Sequence, residues 1–186
     1  QILTQKTAML PYLLLALVLA VVLFLAIAAM QPAEFRLSRS TSIAAPPAAV
    51  FAQVNDLHNW EAWSPWAKLD PKMQTTHEGT SAGTGAIYSW SGNSKVGAGR
   101  MTILESRAPD LIRIKLEFLK PFTATNTTEF TFQPDGSQTA VTWSMAGTNN
   151  FMAKAFGLIV NCEKMVGRDF EKGLAQLKSV VETQKA

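Results

Sequence analysis

The sequence predicts an α+β domain, an antiparallel sheet covered by one long C-terminal helix, with a single membrane-spanning helix ahead of it. Three observations carry this: an uncharged run of 23 residues at 8–30, segments that alternate apolar and polar over 35–145, and a change of period after Val166. Apolar residues at every second position line one face of a strand, whereas recurrence at three or four positions lines one stripe of a helix.

As a helix the first run is roughly 35 Å long at ~1.5 Å per residue, enough for a hydrocarbon core of about 30 Å. The competing reading, a cleavable secretory signal, has an apolar region of only ~7–15 residues ending in small residues, of which 26–29 is a faint example. Length favours a retained anchor over residues 1–31, with residues 32–186 as one domain of ordinary size. The first residue is Gln rather than Met, so further sequence upstream is expected.

Of the 17 basic residues only Lys6 precedes the anchor, leaving 16 basic against 14 acidic residues in the domain, a net charge of +2. So small and dispersed an excess argues against a nucleic-acid partner. The single cysteine, Cys162, excludes an internal disulfide and a multi-cysteine metal site.

After a short connection at 31–34, alternation over 35–43 predicts a first strand close to the membrane surface. Pro47 then opens a short helix in which Val50, Phe51 and Val54 share a face, ending near Asn55-Asp56. Ser91-Gly92-Asn93, Pro109-Asp110, Lys120-Pro121 and Pro134-Asp135-Gly136 are reversals between β segments. Between them Ile112, Ile114, Leu116 and Phe118 alternate with Arg113, Lys115 and Glu117. Phe130 and Phe132 alternate with Glu129 and Thr131, and Val141, Trp143 and Met145 with Ala140, Thr142 and Ser144. This pattern makes about six antiparallel strands sharing one apolar face. Val166, Phe170, Leu174, Leu177 and Val181 form the stripe of a closing helix. Gly167 and Gly173 within it each cost about 1 kcal/mol relative to Ala, and imply close approach by the sheet or by a ligand.

No catalytic constellation emerges from the residues. His58 and His77 fall in loop-like polar contexts, and Cys162 reads as an ordinary helix residue. No HExxH, phosphate-cradling loop or EF-type loop occurs, so no metal or cofactor is expected. Gly83-Thr84-Gly85 and Gly97-Ala98-Gly99 read as strand ends or bulges. Glu105, Glu117 and Glu129 read as solvent-face residues, and Lys164, Arg168 and Lys172 as a solvated ridge on the last helix.

The order of elements, with IAAPPAAVFAQVND at 43–56, WSPW at 63–66, Asp70-Pro71, YSWSGN at 88–93 and GRDFEKGLAQLK at 167–178, resembles the START-like (SRPBCC) superfamily. Within it the chain is most similar to bacterial proteins of the polyketide cyclase/dehydrase and lipid-transport type, over about 35–181. The resemblance implies a helix-grip: a curved antiparallel sheet around the C-terminal helix, two short helices closing one end, and a hydrophobic ligand between sheet and helix. Trp60, Trp63 and Trp66 would then wall a cavity at that end or plug it. Further candidate wall residues, taken from the apolar side of the strands and the helix stripe, are Trp90, Met101, Ile114, Leu116, Phe130, Trp143, Met145, Phe170 and Leu174. Asn126 and Thr128 are inward polar groups, available to orient a ligand or satisfied by each other or by water.

Three functions compete. One is a membrane-anchored module binding a hydrophobic molecule such as a lipid or isoprenoid, with the bilayer as its other partner. A second is an accessory subunit of a membrane protein complex, for which Ala16, Ala20, Ala26, Ala28 and Ala29 would permit close helix approach. The third and weakest is a cyclase-type enzyme. A literal count of Lys6 against Arg36 and Arg39 places the domain in the cytoplasm. The layout resembles that of related bacterial proteins of the inner membrane with the domain on the periplasmic side, and that is the expectation adopted.

Overall fold

Residues 2–183 are described by the computed structural model. Its first element, α1 (Ile2–Met30), contains the segment Pro11–Met30, long and apolar enough to cross a membrane by length and composition. Most of that segment is exposed, but Phe24 is half-buried and Ala28 fully buried, four residues apart on one face. Helix α4 (Phe151–Ile159) packs against α1 and belongs with it to one compact unit, made of residues up to Phe35 and Asn149–Cys162. The Asn149 N–H donates to the Ala33 carbonyl at 2.7 Å, and the Asn150 side chain caps α4 by accepting from the Ala153 N–H at 2.9 Å. The sequence pattern predicts no element here. FMAKAFGLI is short and carries a single charged side chain, too few polar positions to mark a helical period in the sequence.

The second unit runs over Arg36–Thr148 and resumes at Glu163. Its strands are β1 (Glu34–Ile43), β2 (Gln74–Gly79), β3 (Ala86–Ser91), β4 (Ala98–Arg107), β5 (Leu111–Lys120), β6 (Ala124–Asp135) and β7 (Gln138–Thr148). Between β1 and β2 lie α2 (Pro47–Asn55), a 3-10 turn (Leu57–Asn59) and the single turn α3 (Trp60–Trp63), and the chain closes with α5 (Cys162–Thr183). All four expected reversals coincide with strand ends and the turns that follow them, although Ser91, Lys120 and Pro134-Asp135 still belong to β3, β5 and β6. The sheet order is β1-β7-β6-β5-β4-β3-β2, with β2 through β7 paired antiparallel in sequence. Register shifts in β4 at Ala98/Gly99 and Ile103/Glu105 are bulges of the kind expected at Gly97-Ala98-Gly99, and bulges bend the strand that carries them.

The two sheet faces divide as the alternation predicts. On the outer face Arg113 pairs with Glu105 and, at 2.6 Å, with Glu129, and Lys115 pairs with Glu117 at 2.7 Å. On the inner face Ile112, Ile114, Phe130, Phe132, Val141 and Trp143 are fully buried, as are Phe170, Leu174 and Leu177 on α5. Helix α5 is fastened to β1 and the turn after it by Arg39 Nε–Glu171 at 2.8 Å, Lys178 Nζ to the Ser42 carbonyl at 2.7 Å, and the Ala44 N–H to Glu182 at 2.7 Å. Its glycines make room for protein groups: the Arg39 guanidinium lies over Gly167, and a Cβ on Gly173 would stand 2.7 Å from Trp143 and 3.1 Å from Pro65.

Candidate functional site

Strand register lays the inner face out in rows. One end is solid. Ile112 and Phe130 are paired across β5 and β6, and Phe130 with Trp143 across β6 and β7. Trp143 stacks on Phe130 at 4.8 Å and, from the other side of the layer, on Phe170 of α5 at 4.0 Å with planes 9° apart. Trp60 and Trp63, 4.5 Å from each other, present their rings edge-on to both Phe130 and Trp143. Edge-on and stacked contacts at these separations are the favoured arrangements of aromatic quadrupoles. The tryptophan-rich turn therefore plugs this end of the grip through Trp60 and Trp63. Trp66 is only half-buried, edge-on to Trp143 at 5.9 Å and Phe170 at 6.4 Å.

The indole N–H groups are handled unequally. Trp60 donates to the Val54 carbonyl at 2.9 Å, Trp63 to the Gln53 carbonyl at 3.4 Å and Trp90 to the Val96 carbonyl at 3.0 Å. Trp143 is 2% exposed, and its Nε1 is the only buried side-chain nitrogen or oxygen without a partner among the described residues. An unmet buried donor costs about 1–3 kcal/mol.

Toward the other end the same face opens. The row Tyr88, Met101, Leu116, Asn126 runs across β3 to β6, flanked by Trp90 and Phe118, which face Gly99 from either side. Tyr88, Trp90, Leu116 and Phe118 are half-buried, in contrast to the sealed rows beyond Ile114. Gly99 has no side chain because the Trp90 indole occupies its place, and Phe118 meets that indole edge-on at 6.2 Å. Polar groups punctuate this surface. The Asn126 amide donates to the Met145 sulfur at 3.8 Å, Thr128 lies beside Met145 in register, and both polar side chains are buried. Burial, together with the negative charge of Glu61, raises the Tyr88 phenol above its ordinary value.

A further cluster borders Tyr88. His77 belongs to strand β2 rather than to a loop, and His58 lies in the 3-10 turn. Their rings stack at 4.0 Å and 14°, with Tyr88 5.1 Å from His77, while the Asp56 carboxylate stands 2.7 Å from His58 Nδ1. Cys162 is a free, half-buried thiol at the start of α5. No group of three or more His, Cys, Asp or Glu side chains suited to a metal occurs among the described residues.

Of the predicted site residues, Trp60, Trp63, Ile114, Phe130, Trp143, Phe170 and Leu174 thus belong to the packed part. Trp66, Trp90 and Leu116 are half-buried, and Met101, Asn126 and Met145 lie at its margin, each 8% exposed. Tyr88 and Phe118 belong to the open surface as well. Alternation marks both, since Tyr88 shares a face with Trp90 and Phe118 with Leu116.

A seven-stranded antiparallel sheet gripping a long C-terminal helix, with short helices between its first two strands, defines an α+β protein of the START-like, helix-grip class. Solved structures share the fold: protein MLL2253 from Mesorhizobium loti aligns with a TM-score of 0.60 at 12% identity, covering 80% of this chain and 98% of that one. A Staphylococcus aureus protein of unknown function, SA2116, gives 0.62 at 10% identity over 82% and 96%, and CV1439 from Chromobacterium violaceum 0.56 at 17% over 81% and 99%. The chain belongs to the family described as polyketide cyclase / dehydrase and lipid transport, whose model matches residues 34–182. No curated protein matches it.

Proposed function

We propose that this chain is a membrane-anchored START-like module that binds a lipid-like or isoprenoid-like molecule on the open half of the inner sheet face. The observation that carries the reading is the contrast along one face. Aromatic rings close one end, whereas Tyr88, Trp90, Leu116 and Phe118 leave a half-buried apolar surface beside the Asn126–Met145 pair. Pockets for small hydrophobic molecules are commonly built this way, apolar walls with a few placed polar groups. The family description, which includes lipid transport, agrees with it. Helix α1 supplies the anchor, because an uncharged span of this length is held in a bilayer by burial. In this reading the domain lies on the periplasmic side of the inner membrane.

The second reading, an accessory subunit using the domain as a rigid shape, draws on the solid aromatic end. Mass spectrometry of the gently purified full chain separates the two. A co-purifying lipid or isoprenoid at near one per chain supports binding, whereas stoichiometric membrane proteins without lipid would replace it with the subunit reading.

A further inference from the structure

We propose that α4 is a second membrane contact, lying in the headgroup–acyl boundary beside the end of α1. This rests on the reading of α1 as an anchor. Met152, Phe156 and Ile159 recur at helical spacing and are 67, 55 and 75% exposed, and no residue of α4 is buried. Lys154 is the helix's one charged side chain, and it is half-buried. A stripe of large apolar groups this open is unusual on a surface meant for water, and contiguous patches of the kind mark contacts with membranes or proteins.

Depth along α1 identifies the occupant. Within the span the only covered positions are Phe24 and Ala28, and α4 is the element that packs against α1. The span ends at Met30, so at 1.5 Å per residue these positions lie within about 9 Å of its end. Interfacial helices bury their apolar faces about 5–10 Å into the headgroup–acyl boundary. The Asn149–Ala33 hydrogen bond ties the approach to α4 to the residues just beyond the span, at the same level. A helix held at this depth beside a spanning α1 meets lipid, and its amphiphilic needs are met there: the exposed stripe enters the acyl region while the long Lys154 side chain reaches the headgroups.

The test uses the full chain in vesicles of phosphatidylcholine and phosphatidylglycerol in equal parts. Cys162→Ser removes the native thiol, and an environment-sensitive fluorophore is placed through Phe156→Cys, Ile159→Cys, Leu19→Cys in mid-span, or Gly136→Cys in the β6–β7 turn. Labels at 156 and 159 are expected to shift to shorter wavelength and to lose most of their emission to a quencher carried near the carbonyl end of the acyl chains. The 19 label should respond to a quencher near the chain terminus, and the 136 label to neither. If 19 is quenched while 156 and 159 keep the emission of 136, the proposal fails and the anchor stands. If 19 is not quenched either, the anchor reading falls with it. A wavelength shift at 156 and 159 without lipid quenching means that protein covers α4, a second copy if the shift weakens on dilution into more lipid, and overturns the proposal.

Discussion

Trp143 and Phe170 lie face to face, ring centroids 4.0 Å apart and planes 9° from parallel, so strand β7 and helix α5 meet through a stacked pair rather than across a gap. The Trp143 N–H in this layer has no acceptor, whereas the Trp60 N–H is bonded to Val54 at 2.9 Å. Phenylalanine keeps the ring and discards the donor. Trp143→Phe is therefore expected to destabilise less than Trp60→Phe, by about 1 kcal/mol. Denaturant unfolding of the two variants checks the order, and a larger loss for Trp143→Phe contradicts it.

Two helical glycines should respond in opposite directions to alanine. At Gly173 the new Cβ meets Trp143 at 2.7 Å, so overpacking of roughly 1–3 kcal/mol outweighs the gain in helix propensity of about 1 kcal/mol. At Gly157 nothing lies within 4 Å, and Gly157→Ala should leave stability unchanged or raised. Thermal unfolding of both variants provides the comparison.

Leu116 and Ile114 are neighbours on the same face of β5, one half-buried and the other sealed. Leu116→Trp is expected to abolish uptake of a fluorescent lipid with little change in Tm. Ile114→Trp should instead lower stability by ~1–3 kcal/mol through overpacking. A strong drop in Tm for Leu116→Trp, with a parent that takes up no lipid, removes the proposed site.

High-salt and alkaline washing should leave the full chain in the membrane fraction, whereas a chain shortened to begin at Glu34, which keeps α4 but lacks the span, should be folded and extracted by the same washing. Salt screens surface charge but does not weaken burial of an uncharged span. Release of the full chain by washing contradicts the anchor.

The Asp56 carboxyl responds first to burial, which raises its pKa, but hydrogen bonds from the His58 backbone and ring, aided by the two histidine charges, outweigh it and hold the value below the ordinary 3.8. A depressed carboxyl pKa contributes stability above the ordinary value, and that contribution is lost as pH falls through the lower folded value. The carboxyl resonance of Asp56 is expected to titrate with a midpoint under 3.8. Acid sensitivity of unfolding should be reduced in Asp56→Asn.

Much of the sheet was legible because each strand has one wet face, so Arg113, Lys115 and Glu117 mark register against Ile112, Ile114, Leu116 and Phe118. The same contrast exposed α5 and hid α4, where one lysine among nine residues is too little to mark a polar side. Strand alternation puts Ile114, Leu116, Phe130, Trp143 and Met145 on one face of the sheet, yet sequence spacing does not tell a plug from a lining. That distinction depends on side chains from distant segments, such as Trp143 entering the space left by Gly173. The His58–His77 stack was hidden for a related reason, since it requires the β2–β3 ladder that sets His77 opposite Tyr88.

The sheet order has a consequence for synthesis. β1 stands at one edge, and its sole neighbour is β7, the last strand to be made; Ser40 and Thr142, bonded across that pair at 2.8 Å, are 102 residues apart in the chain. Pairings of such long sequence separation form slowly, because the intervening loop must close before any contact rewards it. During translation the first strand follows α1 out of the ribosome and then waits, its N–H and C=O groups unladdered, until β7 emerges. Strand edges left open in this way are prone to wrong partners. β1, with Arg36, Ser38, Arg39 and Ser40 along its length, carries polar and cationic side chains that discourage such pairing over that interval.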